Sequence, residues 1–132
     1  MARLRLACVL TAAVALATPL LAHHSFAEYY LEAETIEVEG EIVEFQFKNP
    51  HSWVFVQGRE GLGAMRTYAA EWAGTSRLKD QDITKTTLRA GDRVRIWASP
   101  NRNPSDGRIR LKRIERMSDG WSWGSLRRRE ER

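Results

Sequence analysis

Cysteine is almost absent from this 132-residue chain, and the single one, Cys8, lies inside an N-terminal apolar run. A lipid-anchored export signal places its cysteine after a leucine and two small residues at the end of such a run, which is not where Cys8 stands. Once this segment is removed, the chain has no thiol. Disulfides, thiolate catalysis and cysteine-ligated zinc or iron–sulfur sites are then excluded, and histidine and carboxylate remain as the strong metal ligands.

The sequence also lacks an apolar run long enough to cross a bilayer. The run at residues 6–16 falls short of the roughly 20 residues that a transmembrane helix needs. It follows Arg3 and Arg5 and leads to Ala22, which is the pattern of a cleaved secretory signal peptide. We therefore predict a signal peptide over residues 1–22, cleaved near Ala22, and a periplasmic or secreted mature protein with no transmembrane segment.

Excess charge is missing from the body of the chain, although the formal net charge is +4. Removal of Arg3 and Arg5 with the signal peptide leaves +2 of that +4, and segment 127–132, with four arginines and two glutamates, carries all of it. A neutral body argues against nucleic acid as a partner. An unidentified protein or a small ligand is the expected partner.

Enzyme signatures are absent as well. The sequence has no Gly-x-Ser-x-Gly elbow, no phosphate-binding glycine loop and no His-Glu-x-x-His motif. These absences favour a binding module over an enzyme, and we predict a non-enzymatic protein.

What the sequence does contain is alternation of polar and apolar residues. This period of two predicts five β-strands, at residues 35–47, 52–57, 64–72, 93–98 and 108–117. The apolar phase changes after Ile42, close to Gly40, which predicts a β-bulge that bends the first strand. Thr75 or Ser76 can begin a short helical segment between strands 3 and 4. The fold predicted is mainly β, a small five-stranded OB-like barrel, with an open β-sandwich or roll as the alternative.

The mature chain is long enough for one domain, since removal of 22 of the 132 residues leaves 110. We expect an N-terminal arm at residues 23–34, the β-barrel domain at 35–118, and a Trp-containing, basic C-terminal tail at 119–132. No internal repeat or linker indicates a second domain.

Three stretches carry a resemblance to a known family. They are AHHSFAEY at residues 22–29, VEFQFKNPH at 43–51, and LRAGDRV at 88–94, the last accompanied by Asp-Gly pairs at 106–107 and 119–120. With these stretches the chain resembles DUF6152, small exported bacterial proteins of unassigned function. The resemblance implies export and a small barrel-like β domain. It implies no activity, because the family has none assigned.

All three histidines stand in these stretches and form the first candidate site. Cleavage after Ala22 makes His23 the first residue, so that its amine and its ring nitrogen can chelate one ion. His24 and His51 can add two more imidazoles, provided that the arm folds back over the Asn-Pro-His turn. Such nitrogen-rich ligands suit Cu(II), and also Ni(II) or Zn(II). A solvated terminus and an ordinary turn histidine form the alternative interpretation.

The second candidate site is an aromatic and basic face on the fourth strand. Arg93, Arg95 and Trp97 share one phase of this strand, and OB-like barrels bind ligands on such faces. The competing interpretation is a solvated surface on which these arginines pair with the glutamates of the first strand.

Overall fold

The computed structural model describes residues 26–126. Its elements, in chain order, are helix α1 (Phe26–Tyr29), strands β1 (Ile36–Gln46), β2 (Trp53–Glu60) and β3 (Arg66–Glu71), helix α2 (Thr75–Lys79), and strands β4 (Arg93–Pro100), β5 (Arg108–Arg116) and β6 (Ser122–Gly124). The predicted signal peptide, His23 and His24 lie outside the described residues, as do residues 127–132 of the tail.

Strands β1 to β5 form a closed barrel. Antiparallel pairs join β3 to β2, β2 to β1, β1 to β4 and β4 to β5. A short parallel pairing of β3 with β5, from Ala69–Arg108 to Glu71–Arg110, closes the ring. The predicted mainly β, OB-like five-stranded barrel is confirmed, and α2 is the short helical segment expected between strands 3 and 4.

Strand β1 bends so that it can pair on both sides. Its register against β2 shifts between Ile42 and Glu44, which is where the apolar phase of the sequence changes. The predicted bulge is therefore present. Gly40 lies opposite Gly58 in the β1–β2 ladder, and the absence of two side chains lets the backbones approach closely there.

The barrel interior is filled by aliphatic side chains from every strand of the ring. Val38, Val56, Ile96 and Ile114 are all completely buried, and Leu78 of α2 is buried with them. Each such side chain stabilises the fold by about 1.5–3 kcal/mol relative to an exposed one. On β4, Val94, Ile96 and Ala98 point inward, as their alternation with Arg93, Arg95 and Trp97 predicts.

Two segments outside the barrel pack on its surface. Strand β6 pairs antiparallel with the end of β5 and continues the sheet, although the sequence predicts only a tail there. A three-residue strand is too short for its alternation to be recognised. At the other terminus, Tyr30 of the expected arm is buried and forms a β-bridge with Asn101.

Helices that could span a membrane are not found within residues 26–126, because none there is both long and apolar enough.

Candidate functional site

The Asn-Pro-His turn between β1 and β2 is fixed at one end of the barrel. The Oδ1 atom of Asn49 accepts hydrogen bonds from the backbone N–H of Thr75 at 2.9 Å and from its hydroxyl at 3.1 Å. Ser52 is completely buried, and its backbone N–H donates to the carbonyl of Ala73 at 3.0 Å. These bonds tie the turn to the start of α2 and hold His51 beside the end of β3.

A carboxylate is held between a histidine and a tyrosine at this end of the barrel. One oxygen of Glu71, the last residue of β3, contacts Nδ1 of His51, and the other accepts a hydrogen bond from the Tyr30 hydroxyl. The Glu71 side chain is only 11% exposed, whereas that of His51 is 39% exposed. Three separate segments of the chain therefore meet at one carboxylate, and the imidazole is the group that reaches solvent.

The phenol of Tyr30 has an altered acidity because of this arrangement. Burial, followed by the hydrogen bond to Glu71, raises the pKa of Tyr30 well above its usual 10.0. A raised folded-state pKa contributes stability that is complete below the unfolded pKa and is lost as the pH rises above it. We therefore expect the free energy of unfolding to fall above about pH 10, and to fall less steeply in Tyr30→Phe.

Urea unfolding of both proteins at about pH 8 and about pH 10.5 tests this expectation. Equal losses in the wild type and in Tyr30→Phe would show that Tyr30 ionises normally in the folded protein.

The N-terminal arm is anchored directly over His51. The ring of Phe26 lies 5.5 Å from the His51 ring, centroid to centroid, and the guanidinium of Arg110, on β5, lies 3.8 Å from the Phe26 centroid. Arg102 Nε donates to the backbone oxygen of Ala27 at 2.7 Å. The first described residue of the arm therefore packs on the imidazole of the Asn-Pro-His turn.

A cavity of about 260 Å³ opens beside His51. Its aromatic wall contains Phe26, Trp72 and Trp123, and its charged lining contains Glu71 and Arg110. Trp72 is 4% exposed and meets the Trp123 ring edge-on at 4.8 Å. Trp123 of β6, which belongs to neither site predicted from the sequence, closes the cavity from the C-terminal side.

Of the three predicted metal ligands, His51 is within the described part of the chain, whereas His23 and His24 are not. Residues 26–126 contain no group of three or more histidine, cysteine or carboxylate side chains that could hold a metal ion. The described residues thus supply one partly exposed imidazole, one carboxylate behind it, and Phe26, the first described residue of the arm, packed on that imidazole.

A family model, that of DUF6152, matches residues 11–110 of this chain and is described as a family of unknown function. The chain belongs to the DUF6152 family. The matched range covers the predicted histidines, the Asn-Pro-His turn and Glu71, and it ends at Arg110, before β6 begins. No curated protein matches the chain.

On the outer wall of this DUF6152 protein, the second predicted site is already engaged with acidic neighbours. Arg95 donates to Glu39 through Nε at 2.8 Å, and the Trp97 indole donates to Glu37 at 2.9 Å. Arg93 is exposed at the start of the same strand. Cross-strand pairs between β1 and β4 therefore occupy much of this face, and ligand binding by Arg93, Arg95 and Trp97 stays a prediction.

Tyr30 and Arg110 are site residues that sequence reasoning missed. Tyr30 is 41 residues from Glu71, and no local pattern links two such distant positions. Glu71 itself carried only a weak signal, a carboxylate next to a tryptophan. Only the closure of β3 on β5 brings Arg110 opposite Glu71 in the DUF6152 barrel.

Proposed function

We propose that this protein is an exported, non-enzymatic metal-binding module in which His51 and the N-terminal histidines His23 and His24 bind one copper ion. The observation that supports the proposal is the packing of Phe26 on the His51 ring, because Phe26 follows His23 and His24 by only three and two residues. Without that contact, the histidines would be ordinary residues in separate parts of the chain.

The contact between His51 and Glu71 selects the nitrogen that can bind a metal. A carboxylate at Nδ1 favours the tautomer with its proton there, and the lone pair of Nε2 is then free for an ion. Ligand histidines in proteins commonly have such a carboxylate partner, which fixes the ring and increases its basicity. The Tyr30 hydroxyl fixes the carboxylate in turn.

Chain length allows the other two histidines to join His51. A residue spans at most about 3.6 Å of extended chain, so His24 stays within about 7 Å of Phe26, and His23 within about 11 Å, measured between Cα atoms. Since Phe26 contacts the His51 ring, these chain lengths allow both imidazoles to reach an ion bound at Nε2.

Copper is favoured by the ligand set. The mature chain has no cysteine, and the proposed ligands are the His23 amine and ring with two further imidazoles. Nitrogen-rich sets of this kind suit Cu(II), which also binds most tightly among the divalent first-row metals. The proposed role is metal handling outside the cytoplasm.

Copper titration of the untagged mature protein, exported so that its own peptidase makes the N-terminus, tests the proposal. We expect one Cu(II) to bind tightly with nitrogen ligation in the electron paramagnetic resonance spectrum. His51→Ala is expected to weaken binding more than about tenfold, which equals about 1.4 kcal/mol, because it removes the ligand that the barrel contributes.

Lys48→Ala is the matched control, since Lys48 is exposed in the same turn and its side chain has no hydrogen-bond partner within residues 26–126. This variant should bind copper like the wild type. A protein with one extra N-terminal residue should lose the amine chelate. If His51→Ala and Lys48→Ala are both folded and copper affinity is unchanged in His51→Ala, then His51 is not a copper ligand and the proposal is wrong.

A further inference from the structure

A second, larger cavity lies beside the one next to His51. It has a volume of about 760 Å³, and both cavities are lined by Arg77, Arg110 and Leu111. The shared residues make the two cavities neighbours, between α2 and β5. We call the larger cavity the basic groove and define it by Arg77, Ser99, Arg110, Leu111, Lys112 and Leu126.

Three cations line the basic groove, and two of them are engaged. Arg110 is ion-paired with Glu32. Lys112 donates from Nζ to the backbone oxygens of Glu32 and Glu34 at 2.9 and 2.6 Å and to the Thr35 hydroxyl at 2.8 Å. The Arg77 side chain is exposed and has no hydrogen bond or ion pair with any residue in the described range 26–126, so its guanidinium is available to a ligand.

The electrostatic environment of the groove is positive. Burial, and then the neighbouring charge of Arg110, lowers the pKa of Lys112. Three cations, Arg77, Arg110 and Lys112, line the groove against one anion, Glu32, so an anion would be stabilised there. Glu32 partly offsets this field, but it already has Arg110 as its partner.

Each of the two cavities has in its wall one buried polar atom without a hydrogen-bond partner among residues 26–126. Ser99 is completely buried, and its hydroxyl has no hydrogen-bond partner within residues 26–126. The Trp72 indole nitrogen is likewise buried and unpartnered within that range, in the wall of the adjoining cavity. Buried polar groups of native proteins nearly always have hydrogen-bond partners, so the Ser99 hydroxyl is a group that a ligand bound in the groove would satisfy.

We infer that the basic groove binds a small organic carboxylate, whose head group pairs with the Arg77 guanidinium and whose apolar part lies against Leu111 and Leu126. The volume of the larger cavity is within the range of small-molecule sites. This site uses none of the three histidines, so it does not depend on the proposed copper site.

The number of free donors in the groove favours a carboxylate monoanion over a phosphate as the ligand. A guanidinium forms two parallel hydrogen bonds with a planar carboxylate. A phosphate near neutral pH carries up to two charges and needs further free donors, yet Arg110 and Lys112 already have partners. Leu111 is nearly buried and Leu126 is half-exposed, and together they offer an apolar surface to the body of the ligand.

Benzoate is the probe for the test, with benzyl alcohol as its neutral isostere and inorganic phosphate as the competing oxyanion. The ¹⁵N-labelled mature protein is titrated with each, in the presence of a chelator, and amide and indole shifts are followed. We expect benzoate alone to produce saturable shifts confined to α2, the middle of β5 and residues 125–126. Arg77→Gln is expected to weaken this binding at least tenfold.

Lys79→Gln is the matched control, because Lys79 is exposed on the same short helix and does not line either cavity. It should bind benzoate like the wild type. The inference is overturned if benzoate shifts do not saturate, if benzyl alcohol or phosphate binds equally well, or if Arg77→Gln has no effect while its spectrum remains that of the folded protein.

Discussion

Replacing Gly40 by valine is expected to lower the free energy of unfolding by at least about 3 kcal/mol. A Cβ atom at this position would lie 2.7 Å from the Cα of Gly58 and 2.7 Å from Cγ1 of Val56, and it would also collide with the carbonyl oxygen of Gln57. Most of these atoms belong to the backbone of β2, which cannot move away without breaking the β1–β2 ladder. Since β1 holds both β2 and β4, this ladder is needed to close the barrel.

Urea unfolding followed by tryptophan fluorescence measures the effect, and Glu41→Val is the matched control. Glu41 is the next residue of the same strand and is exposed, so the same side chain introduced there should change stability by less than about 0.5 kcal/mol. Similar losses of unfolding free energy in both variants would mean that the close approach of Gly40 to Gly58 is not the cause of the destabilisation.

Replacing Glu71 by alanine is expected to cost about 3 kcal/mol of stability, although Glu71 lies at the barrel end and not in its core. Tyr30 is 2% exposed and donates its hydroxyl proton to Glu71. Removal of the acceptor leaves that hydroxyl buried without a partner, which costs about 1–3 kcal/mol. His51 loses its contact at Nδ1 at the same time, so the arm and the turn are both loosened.

Glu71→Gln separates the causes, because it retains an oxygen that can accept from Tyr30. Its stability loss should be clearly smaller than that of Glu71→Ala. In a double-mutant cycle, Tyr30→Phe should remove much of the loss caused by Glu71→Ala, with a coupling energy above about 1 kcal/mol. Additive losses would contradict the link between the two side chains.

The same glutamine variant also bears on the proposed copper site. An amide facing His51 donates to Nδ1, which moves the imidazole proton to Nε2 and removes the lone pair proposed for copper. Copper affinity should therefore fall about tenfold in Glu71→Gln even where the fold is retained.

The barrel was predictable because the sequence patterns that indicate its strands are local. Alternation along β4 determines which side chains point inward, and the phase change after Ile42 marks the bulge in β1. Both patterns follow from the period of two in a β-strand and need no knowledge of neighbouring strands. Strand β6 escaped prediction because three residues carry too little of that pattern, and its Trp123 side chain was therefore missing from the predicted site.

The candidate site was predictable only in part. His51 was singled out by its place in the Asn-Pro-His turn, which is a local feature. Its partner Glu71, the tyrosine behind that carboxylate and the arginine over Phe26 come from segments that are far apart in the chain. Which distant residues become neighbours depends on strand pairing and register, and a single sequence does not encode these in any local pattern.

By itself the sequence determined a mainly β barrel, a bulged first strand, a chain without thiol chemistry beyond its N-terminal segment, and the prominence of its three histidines. Only the tertiary structure decided that Phe26 packs on the turn histidine, that one carboxylate joins His51 to Tyr30, and that Arg77 faces a groove with no side-chain partner among residues 26–126. The physical reason is the same in each case. Periodicity and composition are local properties of the chain. A site is instead made by side chains that are distant in the chain and that the closure of β3 on β5 brings together.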